Sequence, residues 1–264
     1  MKSSSVFWAL ALILGGALLL LNNLNIVSVS WGVFWSLFLV ALGLWFLWGA
    51  LVAPRRPVEM QDASIPLGSA GRAYVKIEHG AGTLNLAGGA PADRLMAGRF
   101  GGGLDYRTNQ NGDELEVKMR ISGQGWFIGP WNWGRGLNWE MQLNNDVPLR
   151  LKVEAGANQT DLDLTDLKVT ELKLSTGASS TTVTLPAQAG LTTAKIEAGA
   201  AAVKIHVPGG VAARIRAKGG LASIDIDETR FPRVGDEYRS PDYDTAANKV
   251  EMRIETGVGA VRVS

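Results

Sequence analysis

The chain has 264 residues, with 26 Lys and Arg, 25 Asp and Glu, and no cysteine. Among residues 1–53 only Lys2 is charged, so almost all of the charge lies in the rest of the chain, where the two signs balance. A nucleic-acid-binding protein needs a concentrated cationic surface, and no such run is present, so nucleic acid is excluded as a partner. The lack of cysteine fits a reducing compartment and a disulfide-free exterior domain equally well.

Two apolar stretches predict a transmembrane helical hairpin over residues 1–53. The first, over residues 6–22, is near the short end of the roughly 17–25 residues that cross a bilayer core, and the second covers residues 31–52. A secretory signal peptide is the competing interpretation of the first stretch. We favour two spans because no small-x-small cleavage site leads into a polar mature chain and a second apolar stretch follows at once. The second stretch contains tryptophans of the kind that favour membrane interfaces, namely Trp31, Trp35, Trp45 and Trp48.

The positions of the cations predict the orientation of this hairpin. Lys2 precedes the first span, Arg55 and Arg56 follow the second, and the connecting residues 22–30 carry no charge. The positive-inside rule then places both termini in the cytoplasm. We therefore expect a multi-pass protein of the cell membrane with two spans, and the lipid bilayer is its first predicted partner.

The rest of the chain predicts a juxtamembrane linker and a repetitive β domain. Residues 54–66 are interpreted as the linker, because Pro54 and Pro57 stop a helix. Residues 67–264 repeat a strand–Gly–strand unit with a period of about 20–22 residues. The copies begin at Val75, Leu151, Leu172, Ala194, Ala213 and Arg253, and the glycines at 156, 177, 199 and 219 are 21, 22 and 20 residues apart.

This repeat predicts an all-β, β-solenoid-like domain. Apolar and polar residues alternate as in a strand with one buried face. Glycine at a fixed place permits a corner where a Cβ would be strained. Stacked units then bury a continuous core, with largely parallel rungs of two short strands and very little helix after Val52. We also expect a hairpin around Asn111-Gly112-Asp113 and a long loop over residues 228–248 before the last strand pair.

The outward residues before each corner predict two charge columns. If the rungs are in register, the lysines stack beside a mostly acidic column, and the opposite charges offset repulsion along each column. A solvated, salt-bridged face is favoured over an anion-binding stripe. The pairs concerned are Lys152 with Glu154, Lys173 with Ser175, and Lys195 with Glu197.

No catalytic, cofactor or metal site is predicted. The two histidines, His79 and His206, are far apart in sequence and are interpreted as surface or turn residues, because a zinc site needs three or four clustered ligands. Asp161, Asp163 and Asp166 lack the spacing of a calcium loop and are interpreted as a solvated strand edge. The Gly-x-Gly motifs and Gly101–Gly103 do not open a helix, so no phosphate cradle is expected. We therefore expect a protein that is not an enzyme.

A tryptophan-rich insert over residues 126–139 has three interpretations. Its rings could cap the open end of the solenoid, dip into the membrane interface, where Trp is favoured, or form a patch for a partner or ligand. The residues that would make membrane or partner contacts are Trp126, Phe127, Trp131, Trp133 and Trp139.

The chain resembles a known family. Residues 18–24 and 41–47 resemble the transmembrane region of LiaI- and LiaF-like proteins, and the stretch from about Asn138 to Ser264 resembles the toast-rack or LiaF-type C-terminal domain. The matching motifs of that stretch are Val147-Pro-Leu, Glu154-Ala-Gly-Ala, Asp161-Leu-Asp-Leu-Thr-Asp-Leu167, Glu197-Ala-Gly-Ala, Val207-Pro-Gly-Gly, Asp242-Tyr-Asp and Glu255-Thr-Gly-Val-Gly. The resemblance implies a bacterial membrane protein of envelope-stress signalling, which in LiaF-like members restrains a histidine kinase until cell-wall damage is sensed.

Two hypotheses of function follow, and a third is weaker. The first is a non-enzymatic membrane-anchored sensor or modulator of envelope-stress signalling, whose β domain contacts a membrane histidine kinase or another envelope-stress protein. The second is a structural scaffold whose rungs self-associate end to end, which makes the chain a partner of itself. The third is a carbohydrate-binding or carbohydrate-processing β-helix.

Overall fold

A computed structural model describes residues 31–52, 60–122 and 137–264, and the chain divides into two compact units, Met1–Arg55 and Arg56–Ser264. In the first unit the described element is helix α1 (Trp31–Val52), which has 22 residues and no charged side chain. Its exposed side chains include Trp35, Phe38 and Leu39. Within the described ranges, no helix combines the length and the mean hydropathy that a membrane span needs. The first predicted span, residues 6–22, lies outside the described residues.

The second unit is a β domain. The described residues beyond Val52 contain no helix, as the alternating pattern predicts, and form fourteen strands. The strands are β1 (Met60–Pro66), β2 (Arg72–Gly88), β3 (Arg94–Gly101), β4 (Leu104–Asn111), β5 (Glu114–Ile121), β6 (Asn138–Leu143), β7 (Leu149–Asp163), β8 (Val169–Thr176), β9 (Ser180–Thr184), β10 (Leu191–His206), β11 (Ala212–Ile226), β12 (Arg233–Val234), β13 (Glu237–Arg239) and β14 (Lys249–Val263).

The middle of this domain is a stack of parallel rungs in register. The rungs follow in the order β2, β7, β8 with β9, β10, β14 and β11. Along the rungs most inward residues are buried and apolar, as Leu151, Val153 and Leu162 are in β7. Neighbouring rungs lie about 4.8 Å apart in such a sheet, so equivalent apolar side chains stack into one continuous core.

The stacking order departs from the sequence order. Consecutive repeats do not always lie next to each other, because β14 is inserted between β10 and β11. In the same way β2 lies directly on β7, and on its other side it pairs with β5 through its first half and with β6 through its second half. The repeats share one alternating pattern, so their sequences do not distinguish a chain neighbour from a more distant copy.

The corner of each rung also differs from the expectation. Most rungs are one long strand that bends at the glycine, and only β8 and β9 form two short strands. The φ angles of Gly156 and Gly199 are not positive, whereas those of Gly82 and Gly259 are +110° and +127°. The corner glycines are therefore required by the close approach of the next rung rather than by their own backbone conformation. In the copy that begins at Ala213 the corner is Gly220, which is opposite Gly257, and not Gly219 as predicted.

Antiparallel strands pair with the outer strands at both ends of the stack. The hairpin predicted at Asn111–Asp113 is present as β4 and β5. The prediction of a linker up to residue 66 is wrong for residues 60–66, because they form β1, which pairs antiparallel with β3, and β3 continues the sheet to β6. The interpretation failed there because one edge strand has no internal repeat to identify it.

The region over residues 228–248, predicted as a loop, contains the short antiparallel pair β12 and β13. β13 pairs with β11 at Arg214 and Ile215. Phe231 and Tyr243 from this region are buried. Burial and a hydrogen bond that the Tyr243 hydroxyl donates to Glu251 (3.0 Å) raise the pKa of Tyr243 to about 12. This region therefore packs onto the end of the core at β11.

Candidate interaction surface

Two columns of charged side chains run along the outer face of the rungs, in the part of each rung that precedes the corner glycine. Parallel pairing places equivalent residues next to each other, so the predicted register of the columns is confirmed. The cationic column is Lys76, Lys152, Lys173, Lys195 and Arg253, and the second column is Glu78, Glu154, Ser175, Glu197 and Glu255.

The columns are joined by ion pairs, as the interpretation of a salt-bridged face predicts. Within rungs, Lys152 Nζ lies 2.6 Å from Glu154 Oε1, and Lys195 pairs with Glu197 in the same way. Between rungs, Lys76 Nζ lies 3.2 Å from Glu154 Oε2. Hydrogen bonds from Lys152 and then Lys76 lower the pKa of Glu154, and those from Lys195 and Ser175 lower the pKa of Glu197. The face is therefore charged but locally neutral.

Two rungs break this pattern, because β11 has Lys218 opposite Glu255 and β8 has Ser175 opposite Glu197. Ser175 stands where the neighbouring rungs have glutamate, so Lys173 pairs instead with Glu171, at 2.7 Å. The Ser175 hydroxyl donates a hydrogen bond to Glu197 (3.2 Å) in the next rung. The middle of the acidic column therefore carries a short neutral side chain.

A ridge of glycines lies beside the acidic column. A Cβ on Gly177 would be 3.0 Å from the Gly156 carbonyl oxygen, and one on Gly199 would be 3.3 Å from that of Gly177. A Cβ on Gly156 would come closer to the Gly80 carbonyl oxygen than real Cβ atoms do. The residues of the second column and these glycines line a groove of about 1730 Å³ that follows the corner along the stack. We call this surface the corner face, defined by Glu78, Glu154, Ser175, Glu197, Glu255 and Lys218 with the glycines next to them.

A buried histidine lies at the β2 end of the corner face. His79 is only 1% exposed, its Nε2 donates to the Leu137 carbonyl oxygen (3.0 Å), and its Nδ1 accepts from Asn158 Nδ2 (3.2 Å). This pair of partners selects the neutral imidazole with its proton on Nε2. Burial lowers the pKa of His79, and the bond to Leu137 opposes that shift only in part. The expectation of a surface or turn residue is wrong for His79, which joins β2, β7 and the start of β6.

Comparisons with known proteins agree with this architecture. Residues 55–206 match the family profile described as the N-terminal domain of toast_rack, DUF2154, which is more than half of the chain. The chain belongs to the toast_rack family. Residues 6–47 match the LiaI-LiaF-like transmembrane region. The protein therefore joins a transmembrane region of this type to a toast-rack domain, and it is a membrane protein.

A solved structure shows the same fold. A crystal structure from Clostridium sporogenes ATCC 15579, described as a "putative cell adhesion protein", has a TM-score of 0.70 and 20% identity, and the match covers 78% of this chain and 98% of that one. A second structure, described as a "putative adhesin" from Bacteroides fragilis NCTC 9343, covers 80% of this chain and 99% of that one at 6% identity, but its TM-score of 0.29 is too low to indicate a shared fold. No curated protein matches the chain.

The tryptophan-rich insert of the toast-rack domain is described only at its end. Trp126, Phe127, Trp131 and Trp133 lie outside the described residues. Trp139 is fully buried in β6, where it packs edge-to-face on Phe100 (5.1 Å between ring centroids) and lies 5.2 Å from the His79 ring. Its Nε1 donates to the Gly101 carbonyl oxygen (3.3 Å). The prediction of a membrane or partner contact is therefore wrong for Trp139, which is a core residue.

The other candidate residues lie apart. Asp161, Asp163 and Asp166 are exposed, and Asp163 accepts hydrogen bonds from the backbone and hydroxyl of Thr165 as part of a turn. His206 is exposed at the end of β10, with its Nδ1 3.4 Å from the Ser264 hydroxyl. In the part of the chain that the structure describes, no three His, Asp or Glu side chains are grouped so that they could hold a metal ion.

The cluster of His79, Asn158 and Trp139 was missed by the sequence reasoning. A register signal was nevertheless present. His79 precedes the corner glycine of its repeat, at the inward position that Ala155, Ala198 and Thr256 occupy in other rungs. A histidine at a position that is otherwise small and inward indicates a special buried contact.

Proposed function

We propose that this protein is a non-enzymatic, membrane-anchored modulator of bacterial cell-envelope stress signalling, and that it acts through protein contacts of its toast-rack domain. The match to the LiaI-LiaF-like transmembrane region supports the anchor and the signalling context. The observation that carries the proposal is the corner face, which continues in register over six rungs from β2 to β11.

The chemistry of the corner face suits a protein partner. Its carboxylates are paired with the neighbouring cationic column, so an approaching protein must match both signs rather than one net charge, and such matching gives specificity more than affinity. The glycine ridge leaves backbone accessible beside the acidic column, where a partner side chain can approach closely. A membrane histidine kinase or another envelope-stress protein is the proposed partner.

The proposed anchor has two spans with both termini in the cytoplasm, so that the toast-rack domain faces the cytoplasm. The natural chain has no cysteine, which allows single-cysteine labelling in intact cells with a membrane-impermeant maleimide. Asn25→Cys should react from outside, and Asp236→Cys, an exposed site between β12 and β13, should react only after the cells are permeabilised. The reverse pattern would overturn this topology and place the partner outside the cell.

A transcriptional reporter of envelope stress tests the function. Deleting the gene should change the basal reporter signal or its response to a cell-wall antibiotic, and the wild-type gene should restore it. The double variant Glu154→Gln, Glu197→Gln removes two carboxylates of the corner face and should fail to restore the response. Lys204→Gln, an exposed change on β10 beyond the corner, is the matched control and should restore it.

Two results would contradict the proposal. A deletion strain whose reporter matches the wild type, with and without the antibiotic, would remove the signalling role. A double variant that restores the response as well as Lys204→Gln does would remove the corner face from the mechanism.

A further inference from the structure

The last rung of the stack leaves part of a strand edge unpaired. β11 pairs with β14 along Ala212–Ile226, but on its other side it pairs with β13 only at Arg214 and Ile215. Residues 219–226 therefore have no second neighbour among the strands that the structure describes. Unpaired N–H and C=O groups at such an edge are a template for another strand.

This edge lacks the features that protect the other ends of the stack. Leu221 is 85% exposed and Ile224 is only partly buried against the core. Residues 220–224 contain neither a charge nor a proline. The edge strands at the opposite end do carry them: β1 contains Asp62 and Pro66, and β4 contains Asp105 and Arg107. Native proteins use charges and prolines to prevent edge pairing, so the edge of β11 is left open to it.

The charges at the two ends of this edge indicate which strand fits it. Arg216 and Lys218 lie at its start, and Asp225, Asp227 and Glu228 lie at its end. A parallel copy would oppose like charges, whereas an antiparallel copy would oppose cations to anions at both ends. Asp225 already pairs with Arg262 (2.9 Å) and Arg216 with Glu237 (3.0 Å), so Lys218 and Glu228 carry most of the complementarity.

We infer that a second copy of this chain pairs with the edge, and that β11 associates with its counterpart antiparallel about a twofold axis close to Ser223. A twofold axis perpendicular to the sheet keeps the inner faces of both copies on the same side, so the two cores become continuous and Ile224 is covered. The contact uses the same patch on both copies and therefore closes at two. This differs from an end-to-end scaffold, which would grow without limit.

Cysteine cross-linking in native membranes tests the inference on the full-length chain, which has no cysteine of its own. Ser223→Cys lies near the proposed axis and should form a disulfide with its counterpart under a mild oxidant such as copper phenanthroline. Ala202→Cys is the matched control, because Ala202 has the same place in β10 and is exposed, but both edges of β10 are occupied by parallel neighbours. We expect at least a ten-fold larger dimer fraction for Ser223→Cys.

Charge variants in the Ser223→Cys chain test the antiparallel arrangement. Lys218→Glu should reduce the dimer fraction several-fold, and adding Glu228→Lys should restore it. As a measurement that does not depend on Ser223, Leu221→Cys and Asp225→Cys chains with different tags should cross-link to each other when they are expressed together. A dimer fraction of Ser223→Cys no larger than that of Ala202→Cys, together with no cross-link between the two tagged chains, would overturn the inference.

Discussion

The inner rungs of the toast-rack domain and its two ends have different neighbours. β7, β10 and β14 each lie between parallel neighbours with the same pattern, so one solution repeats: apolar residues inside, ion pairs outside and glycine at the corner. The ends have no next rung and use antiparallel strands and large aromatic side chains instead, such as Phe100, Trp139 and Phe231. Repetition therefore accounts for the middle of the domain, and individual side chains account for its ends.

The largest expected effect is at one end. Trp139→Ala removes a fully buried indole that packs on Phe100 and His79, and should lower the free energy of unfolding by about 3–5 kcal/mol. Urea unfolding followed by circular dichroism measures it. Trp139→Phe, which keeps an aromatic ring, is the control and should lose clearly less. A loss below about 1 kcal/mol for Trp139→Ala would show that the end of the core does not depend on this side chain.

The next effect compares two glycines of the same ridge. Gly156→Ala places a Cβ too close to the Gly80 carbonyl oxygen, whereas in Gly199→Ala the nearest atom is 3.3 Å away. Overpacking against backbone costs about 1–3 kcal/mol, so Gly156→Ala should be destabilised by about 2 kcal/mol more than Gly199→Ala. Urea unfolding measures this difference, and equal losses of unfolding free energy in the two variants would contradict the proposed role of the glycine ridge.

His79 should make the stability depend on pH. Burial lowers its pKa in the folded state below the ordinary 6.5, so below about pH 6.5 the unfolded chain binds a proton that the folded chain does not. The stability is therefore fully present above the unfolded pKa and is lost as the pH falls, by up to about 1.4 kcal/mol per pH unit. His79→Gln should remove this part of the slope between pH 7 and 5. An unchanged slope would show that His79 does not titrate differently on folding.

The smallest effect is expected for the charge columns. Glu154→Gln removes the ion pairs with Lys152 and Lys76, but these side chains are partly exposed, so the loss of stability should be only about 0.5 kcal/mol. The loss should shrink further in 1 M salt, because salt screens exposed pairs. A loss above about 2 kcal/mol that salt does not change would mean that the columns hold the stack together.

The sequence predicts the inner rungs well because their pattern is local. Alternation and the spacing of Gly156, Gly177 and Gly199 are enough to predict parallel rungs in register and the columns of Lys195 and Glu197. The order of the rungs is not predictable in this way, because the apolar pattern of β14 matches β10 and β11 as well as these two consecutive strands match each other. Which of the equivalent repeats pair with each other is decided by the tertiary structure of the whole domain.

The ends and the buried cluster escape prediction for a different reason. β1 has no repeat to identify it, and the burial of Trp139 depends on Phe100 and His79, which come from distant strands. Composition suggested a membrane or partner contact for Trp139 because exposed and buried tryptophans look alike in a sequence. The sequence predicted the charged columns of the candidate surface. It did not predict the groove beside them, because that groove depends on how closely the glycines of neighbouring rungs approach each other.

The central claim is that the corner face contacts a signalling partner in the membrane. Site-specific photo-cross-linking in living cells tests it most directly, with a photoreactive amino acid at Ser175 on the corner face and, as the control, at Lys204 on β10. The account predicts an adduct with a histidine kinase or another envelope-stress protein at Ser175 that is absent at Lys204 and diminishes under cell-wall damage. No such adduct at Ser175, or the same adduct at both positions, would contradict it.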